Sequence, residues 1–263
     1  MKQAVTVTTA GGLATVTLDR PEASNAVDEA LRRDFIAALQ ALNAAPGIQA
    51  VILTGAGRSF CAGQDLREAA GMSAEAIPAW QNQQRAMYQA IRNLDKPCIA
   101  AINGAAAGAG FQVALCADIR VAHPDVRLGQ PEVKAGLASI VGSYLMTLHL
   151  GLSKNVELSL FGDLITASQA HELGLLHHVV PPDQVIPTAS RLALELASRP
   201  ATAFRYTKQR FREMTQAGFD EACAAGARYQ AACYAAGEPQ RVIGERLAGK
   251  SGGAPVRDRH GER

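Results

Sequence analysis

Apolar and polar residues alternate from Ala4 to Thr8 and again from Leu13 to Leu18, with Gly11-Gly12 between the runs, which predicts two strands joined as a hairpin. After Arg20-Pro21 the period changes. Leu31, Phe35, Leu39 and Leu42 recur at spacings of four, four and three, so a helix is expected over 27–44 with these side chains on one face. An apolar run from Ala50 to Thr54 predicts a buried strand. The scheme then repeats, with a polar loop, a helix over 78–94 and a second buried strand, Cys98 to Ile102, entered through Lys96-Pro97. A third short cycle spans 108–122. Helical patterns follow over 141–150, 154–161, 166–173 and 184–198, and amphipathic turns continue over 203–248; Thr166 and Gln169 are spaced as a capping box. Strand alternating with helix, then helix alone, predicts an α/β body (1–190) followed by a helical region (191–250). Residues 251–263 are Gly-rich and charged without an apolar period, so a mobile tail is expected there.

Composition narrows the classes. The chain has 263 residues, 48% hydrophobic and 19% charged, which excludes disordered, collagen-like and coiled-coil proteins. Its net charge of +2 is too small for the broad electrostatic footprint of a nucleic-acid binder. Five cysteines without a C-x-x-C pair argue against a zinc site or a disulfide framework and for free thiols in a reducing compartment. No stretch approaches the ~20 apolar residues of a membrane span, and a cytoplasmic protein is expected.

Two glycine-rich turns follow buried strands, Gly55-Ala56-Gly57 and Gly104 to Gly110. Neither completes a dinucleotide fingerprint, and no phosphate-binding P-loop pattern is present, which disfavours a Rossmann dehydrogenase or a nucleotidase. The second turn opens a helix. A helix start concentrates unpaired N–H groups, so the turn suits either tight packing or the stabilisation of an oxyanion.

The strings Ser59-Phe60-Cys61-Ala62-Gly63-Gln64-Asp65-Leu66 and Asn103-Gly104-Ala105-Ala106-Ala107-Gly108-Ala109-Gly110 closely resemble the two signature loops of the enoyl-CoA hydratase/isomerase (crotonase) superfamily. Further pieces resemble it in the same order: Leu18-Asp19-Arg20-Pro21 with Asn25-Ala26, Lys96-Pro97, Cys116-Ala117-Asp118, Gly129-Gln130-Pro131-Glu132, and Ala170 to Leu175 before Val179-Val180. The resemblance covers about residues 13–185. It implies a spiral of strand-strand-helix units, a helical C-terminal region used in trimer or hexamer assembly, and an acyl-CoA thioester substrate without a permanently bound cofactor, metal or nucleic-acid partner.

By the same resemblance the backbone amides of Gln64 and Ala109 form an oxyanion hole for a thioester enolate, and Ala62, Asp65, Leu66 and Gly108 border the coenzyme A. Arg20 is a candidate partner of its phosphates. Family hydratases carry two glutamates, and here only Glu132 is kept, with Gln112 at the other position. A carboxamide orients a water or a substrate but takes no proton. One carboxylate suffices to move a proton between carbons, which favours isomerisation of an enoyl-CoA double bond, with hydration as the other outcome. A non-catalytic acyl-CoA-binding or RNA-binding relative is the alternative class. Leu137 to Gly142 carries no carboxylate, which argues against dehalogenation and predicts a proton affinity of Glu132 raised by an apolar surround. His149, His171, His177 and His178 read as structural, and Arg205, Lys208 and Arg212 as a solvated basic helix face.

Overall fold

A computed structural model describes residues 3–249; the tail expected over 251–263 lies outside the described residues. Strands β1 (Val5–Ala10) and β2 (Leu13–Leu18) pair antiparallel as the alternation predicts. Helix α1 (Glu29–Ala44) starts two residues later than expected, because Asp28 is its N-cap and accepts from Leu31 N at 2.9 Å. Leu31, Phe35, Leu39 and Leu42 are its buried stripe.

The next elements are β3 (Ala50–Gly55), β4 (Ser59–Cys61), α2 (Leu66–Ala70), α3 (Ile77–Arg92), β5 (Cys98–Ile102), β6 (Ala105–Ala107), α4 (Ala109–Cys116), β7 (Ile119–Ala122) and β8 (Arg127–Gly129). Consecutive strands of each cycle go to different sheets. One sheet has six strands in the order β1-β2-β3-β5-β7, closed at its edge by β10 (His178–Val179); the other has four, β4-β6-β8 and β9 (Ile165–Thr166). Three times over, a strand in the large sheet leads to a strand in the small one and then to helical structure, the ββα spiral the resemblance implied.

Along β3 the pleat sends Val51 and Leu53 to one layer and Ala50 and Ile52 to the other. The first layer packs on α1, α3 and α4. The second is covered by Val185, Ala189 and Ala193 of α8 (Val185–Ala197). Between β8 and α8 the chain adds two 3-10 turns (Glu132–Ala135 and Pro182–Gln184) and the helices α5 (Val141–Thr147), α6 (Leu152–Phe161) and α7 (Ala167–Glu172); the expected Thr166–Gln169 capping box is formed on α7. Residue 190 falls inside α8, whose packing on the large sheet leaves no break in the chain at that point. The α8 helix belongs to the body.

The turns expected over 203–248 are two helices, α9 (Ala201–Ala235) and α10 (Glu238–Leu247). No proline interrupts α9. Its second half is held by burial of Phe219, Cys223 and Tyr234, and α10 turns back onto α2. The basic face of α9 is only partly solvated: Lys208 donates to Asp118 Oδ2 at 2.7 Å and to Lys96 O at 2.8 Å, tying the helix to the starts of β5 and β7. No described helix is long and apolar enough to cross a membrane.

Candidate active site

Asn25 adopts a left-handed backbone (φ 57°) and is fully buried. Its side chain donates to Ala56 O and Ser59 O, and the neighbouring chain accepts Ala62 N at Ser24 O and donates Val27 N to Gly63 O. This fixes the first signature loop. Asn103 holds the loop after β3 in the same way, through Gly55 and Gly57. Val27 takes both backbone bonds of the bridge to this loop, from Val27 N to Gly63 O and from Asp65 N to Val27 O, which leaves the Gln64 N–H facing the other side.

The second loop ends at Gly108, whose φ of +50° sets the chain to enter α4. Ala109 is the first residue of that helix, so its N–H has no acceptor in the preceding turn. The two loops touch. A Cβ on Gly63 (φ +104°) would lie 2.8 Å from Ala107 O and 3.6 Å from Ala109 N, and one on Gly108 would lie 3.2 Å from Glu132 Oε1. Gly63 requires glycine for space and for φ, Gly108 for its φ of +50°. The Glu132 carboxyl therefore sits against the residue that precedes the Ala109 amide.

A cleft of about 1040 Å³ opens over these loops. Every sequence-derived candidate lines it: Ala62, Gln64, Asp65 and Leu66 from the first loop, Gly108, Ala109 and Gln112 from the second, and Glu132 from the 3-10 turn. Gln112 is buried and donates from Nε2 to Glu132 Oε1 at 2.9 Å. Burial pushes the Glu132 carboxyl up from 4.5 to about 7, against the smaller opposing effects of its own amide and of Gln112.

Gln130, which the motif contained without a role, completes this cluster. Its carboxamide oxygen accepts from Gln112 Nε2 at 3.0 Å and faces the Glu132 carboxyl, which suits a protonated acid. Rotated by half a turn, its nitrogen donates to Glu132 Oε1 at 2.6 Å and Oε2 at 3.1 Å, which suits the carboxylate.

Two charged side chains beside the first loop are already paired. Arg20 lines the cleft, but its guanidinium is committed to Asp65 Oδ2 and Asp28 Oδ2, both at 3.1 Å, and to Ala26 O at 2.6 Å. It brings no unbalanced positive charge. The Asp65 side chain caps α2 through Arg67 N and pairs with Arg20, so burial is outweighed and its carboxyl stays below the ordinary value. Its part in the cleft wall falls to the main chain.

His149, His171, His177 and His178 stand apart from the cleft. Burial and the nearby Arg120 charge hold His149 and His177 down at about 4, and His177 Nδ1 accepts from Arg120 N. Burial pushes the thiols of Cys61, Cys98, Cys116 and Cys223 up to about 12, which makes them unreactive. Among the described residues no cluster of His, Cys, Asp or Glu is arranged to hold a metal ion.

Helices supply the opposite wall. It is made by Trp80, Gln81, Gln84 and Tyr88 of α3 and by Gly226 and Gln230 of α9. The helical period of α3 shows which of its residues are buried, but not that α9 crosses it there.

Comparison with known proteins places this cleft in a family. The enoyl-CoA hydratase/isomerase family model matches residues 8–240. The chain belongs to this family. It is 35% identical over 201 residues to a probable enoyl-CoA hydratase of Rhodobacter capsulatus, covering 76% of this chain and 77% of that protein. It is 34% identical over 209 residues to the 1,2-epoxyphenylacetyl-CoA isomerase of Escherichia coli, covering 75% and 78%. The crystal structure of an enoyl-CoA hydratase/isomerase from Xanthobacter autotrophicus superposes with a TM-score of 0.86 at 28% identity, over 96% of this chain and 95% of that one.

Proposed function

We propose that the cleft binds an acyl-CoA thioester and that the N–H groups of Gln64 and Ala109 hold the thioester oxygen while Glu132 moves a proton, shifting the double bond of an enoyl-CoA. The observation that carries this reading is the Glu132 carboxyl beside Gly108, facing the junction of the two loops with a carboxamide as its partner. Ionised Glu132 takes a proton from C2 of a 3-enoyl thioester, and the electrons pass into the carbonyl as a dienolate whose oxygen the two amides stabilise. The proton returns to C4, the oxygen gives its electrons back, and a 2-enoyl thioester results. A pKa near 7 lets one group both take and return the proton at neutral pH. Each oxyanion donor of this kind contributes about 3 kcal/mol.

Hydration is the second reading, favoured by relatives named as hydratases, among them the R. capsulatus protein. Gln112 would then hold the water and Glu132 alone would supply the acid–base chemistry. Incubation with 2-enoyl-CoA and 3-enoyl-CoA in heavy water, followed by mass spectrometry, separates the two. Interconversion of the isomers with deuterium uptake and no added water supports isomerisation, whereas gain of one water replaces it with hydration. Loss of both activities, with no thioester binding, would sink the acyl-CoA reading.

The same reading includes self-association through α6 and α9. Leu152 and Leu160 on α6 and Phe211 and Met214 on α9 are exposed large apolar side chains, more than an isolated surface helix needs. Sedimentation equilibrium at three times the chain mass, or six, is the expected result.

A further inference from the structure

Three side chains close a small triangle around the Glu132 carboxyl. Gln112 Nε2 lies 2.9 Å from Glu132 Oε1 and 3.0 Å from the outer atom of the Gln130 carboxamide, and that atom lies 2.6 Å from Glu132 Oε1. All three distances are in hydrogen-bond range, so each side of the triangle has to set a donor against an acceptor.

A carboxylate only accepts. Gln130 turned to donate to it brings its nitrogen 3.0 Å from the Gln112 nitrogen, and turning either carboxamide the other way sets an amide oxygen against the charge. A carboxylic acid donates as well. With the proton on Oε1, the Gln130 oxygen accepts it, Gln112 Nε2 donates both to that oxygen and to Oε1, and every side is matched. Exchanging the roles of the two carboxamides gives a second matched arrangement, so the preference for the acid holds whichever way they are turned. Gln112 as a lone donor favours the carboxylate; the pair favours the acid.

The fold leaves room for this contact and little more. Gln130 is 1% exposed, and a Cβ on Gly142, the second residue of α5, would lie 2.3 Å from its Oε1 and 2.4 Å from its Cδ. Glycine there admits the carboxamide, and alanine would displace it.

Ionised neighbours do not override the triangle. Tyr88 of α3 lines the same cleft and is kept a neutral phenol by burial. On the elements packed against the Glu132 turn, Lys134 pairs with Asp163, Arg246 of α10 donates to Lys134 O at 2.6 Å, and Glu238 opens α10. Arg20 and Arg67 line the cleft as well. Among the described residues none of these cations is within ion-pair distance of Glu132.

We propose that Gln130, braced by Gln112, is a positioning residue that holds a proton on Glu132 Oε1 in the free cleft, so that the carboxamide pair and not burial alone sets the pH at which Glu132 becomes a base. The catalytic use of that base rests on the acyl-CoA reading above; the protonation of the free protein does not.

The test is a pH titration of the full-length protein carrying isotope-labelled glutamate carboxyls, followed by carbon NMR, with the Glu132 signal identified by its loss in Glu132→Gln. Gln130→Met keeps the volume and removes both hydrogen-bonding atoms. Gly142→Ala, the second variant, retains Gln130 and displaces its carboxamide, so it carries the test if the first does not fold. In each the midpoint, near 7 in the unaltered protein, is expected about one unit lower, a tenfold stronger acid, the worth of one neutral hydrogen bond. An unchanged or higher midpoint overturns the proposal: a thioether raises it if burial is the whole cause, and so does loss of Gln130 if that residue only donates to the carboxylate. The acidic limb of kcat/KM for a 3-enoyl-CoA should move by the same amount. A midpoint that moves in a protein that neither binds nor turns over any enoyl-CoA supports the proton-holding role and sinks the acyl-CoA reading.

Discussion

The two walls of the cleft are built by different means. The loop wall is made of backbone groups from short contiguous strings, held by turns, a helix start, a close approach at Gly63 and positive φ at Gly63 and Gly108. The helix wall is made of side chains from α3 and α9, far apart in the chain and joined by packing, with Gly226 of α9 lying against the Gln81 carboxamide. Backbone donors are insensitive to side-chain exchange. The loop wall can therefore keep one kind of chemistry while the helix wall changes with the acyl group.

If chemistry resides on the loop wall, Glu132→Gln should lower kcat about a thousandfold while thioester binding, followed through Trp80, stays measurable. Full activity in that variant would remove the carboxyl from the reaction and dissolve the division between the walls. Ala109→Pro deletes the second oxyanion donor at a first helical position that accepts proline readily. A loss of about a hundredfold in kcat is expected, with little change in helical content by circular dichroism. An unchanged kcat would show that this amide does not touch the reacting oxygen.

The pH dependence sharpens the same contrast. Glu132 acts as the carboxylate, and burial has raised its pKa to about 7, so kcat/KM should fall about tenfold per unit below that point and level off above it. Stability runs the other way. The folded state holds this proton more tightly than the unfolded one, so ionisation between the ordinary carboxyl value of 4.5 and about 7 weakens the fold as pH rises. Glu132→Gln should therefore gain roughly 1–2 kcal/mol over the unaltered protein in urea unfolding above pH 7 and little near pH 4. No pH-dependent gain would mean that the carboxyl is better solvated than its setting in the cleft suggests.

The smallest effect belongs to the tie between α9 and the sheet edge. Lys208→Met breaks the ion pair with Asp118 and should cost about 1–2 kcal/mol of unfolding free energy, with kcat/KM on the preferred thioester unaltered. A loss of activity without loss of stability would show that α9 sets the cleft from its far end as well.

Local signals settled most of the architecture. Period-two and helical patterns located β1, β2 and α1, and unbroken apolar runs located β3 and β5, to within a few residues, because burial of one face or of both is written directly into the chain. The loop wall was legible for a related reason: turns of defined φ need glycine at set places, and the strings around Gly63 and Gly108 show it. The joining of separate turns into the unbroken α9 was not legible. A long helix with half its length weakly buried is stabilised by what it packs on, and residues around 144 and 81 supply that contact.

By itself the sequence determined the family, the ββα repeat and the loop residues that come to line the cleft, since each depends on short stretches whose backbone geometry is local. Tertiary structure alone decided that Arg20 is already paired with Asp65 and Asp28, and that α9 packs beside α3 at the cleft. Those properties depend on what surrounds a group, and neighbours distant in the chain become neighbours only when the fold closes.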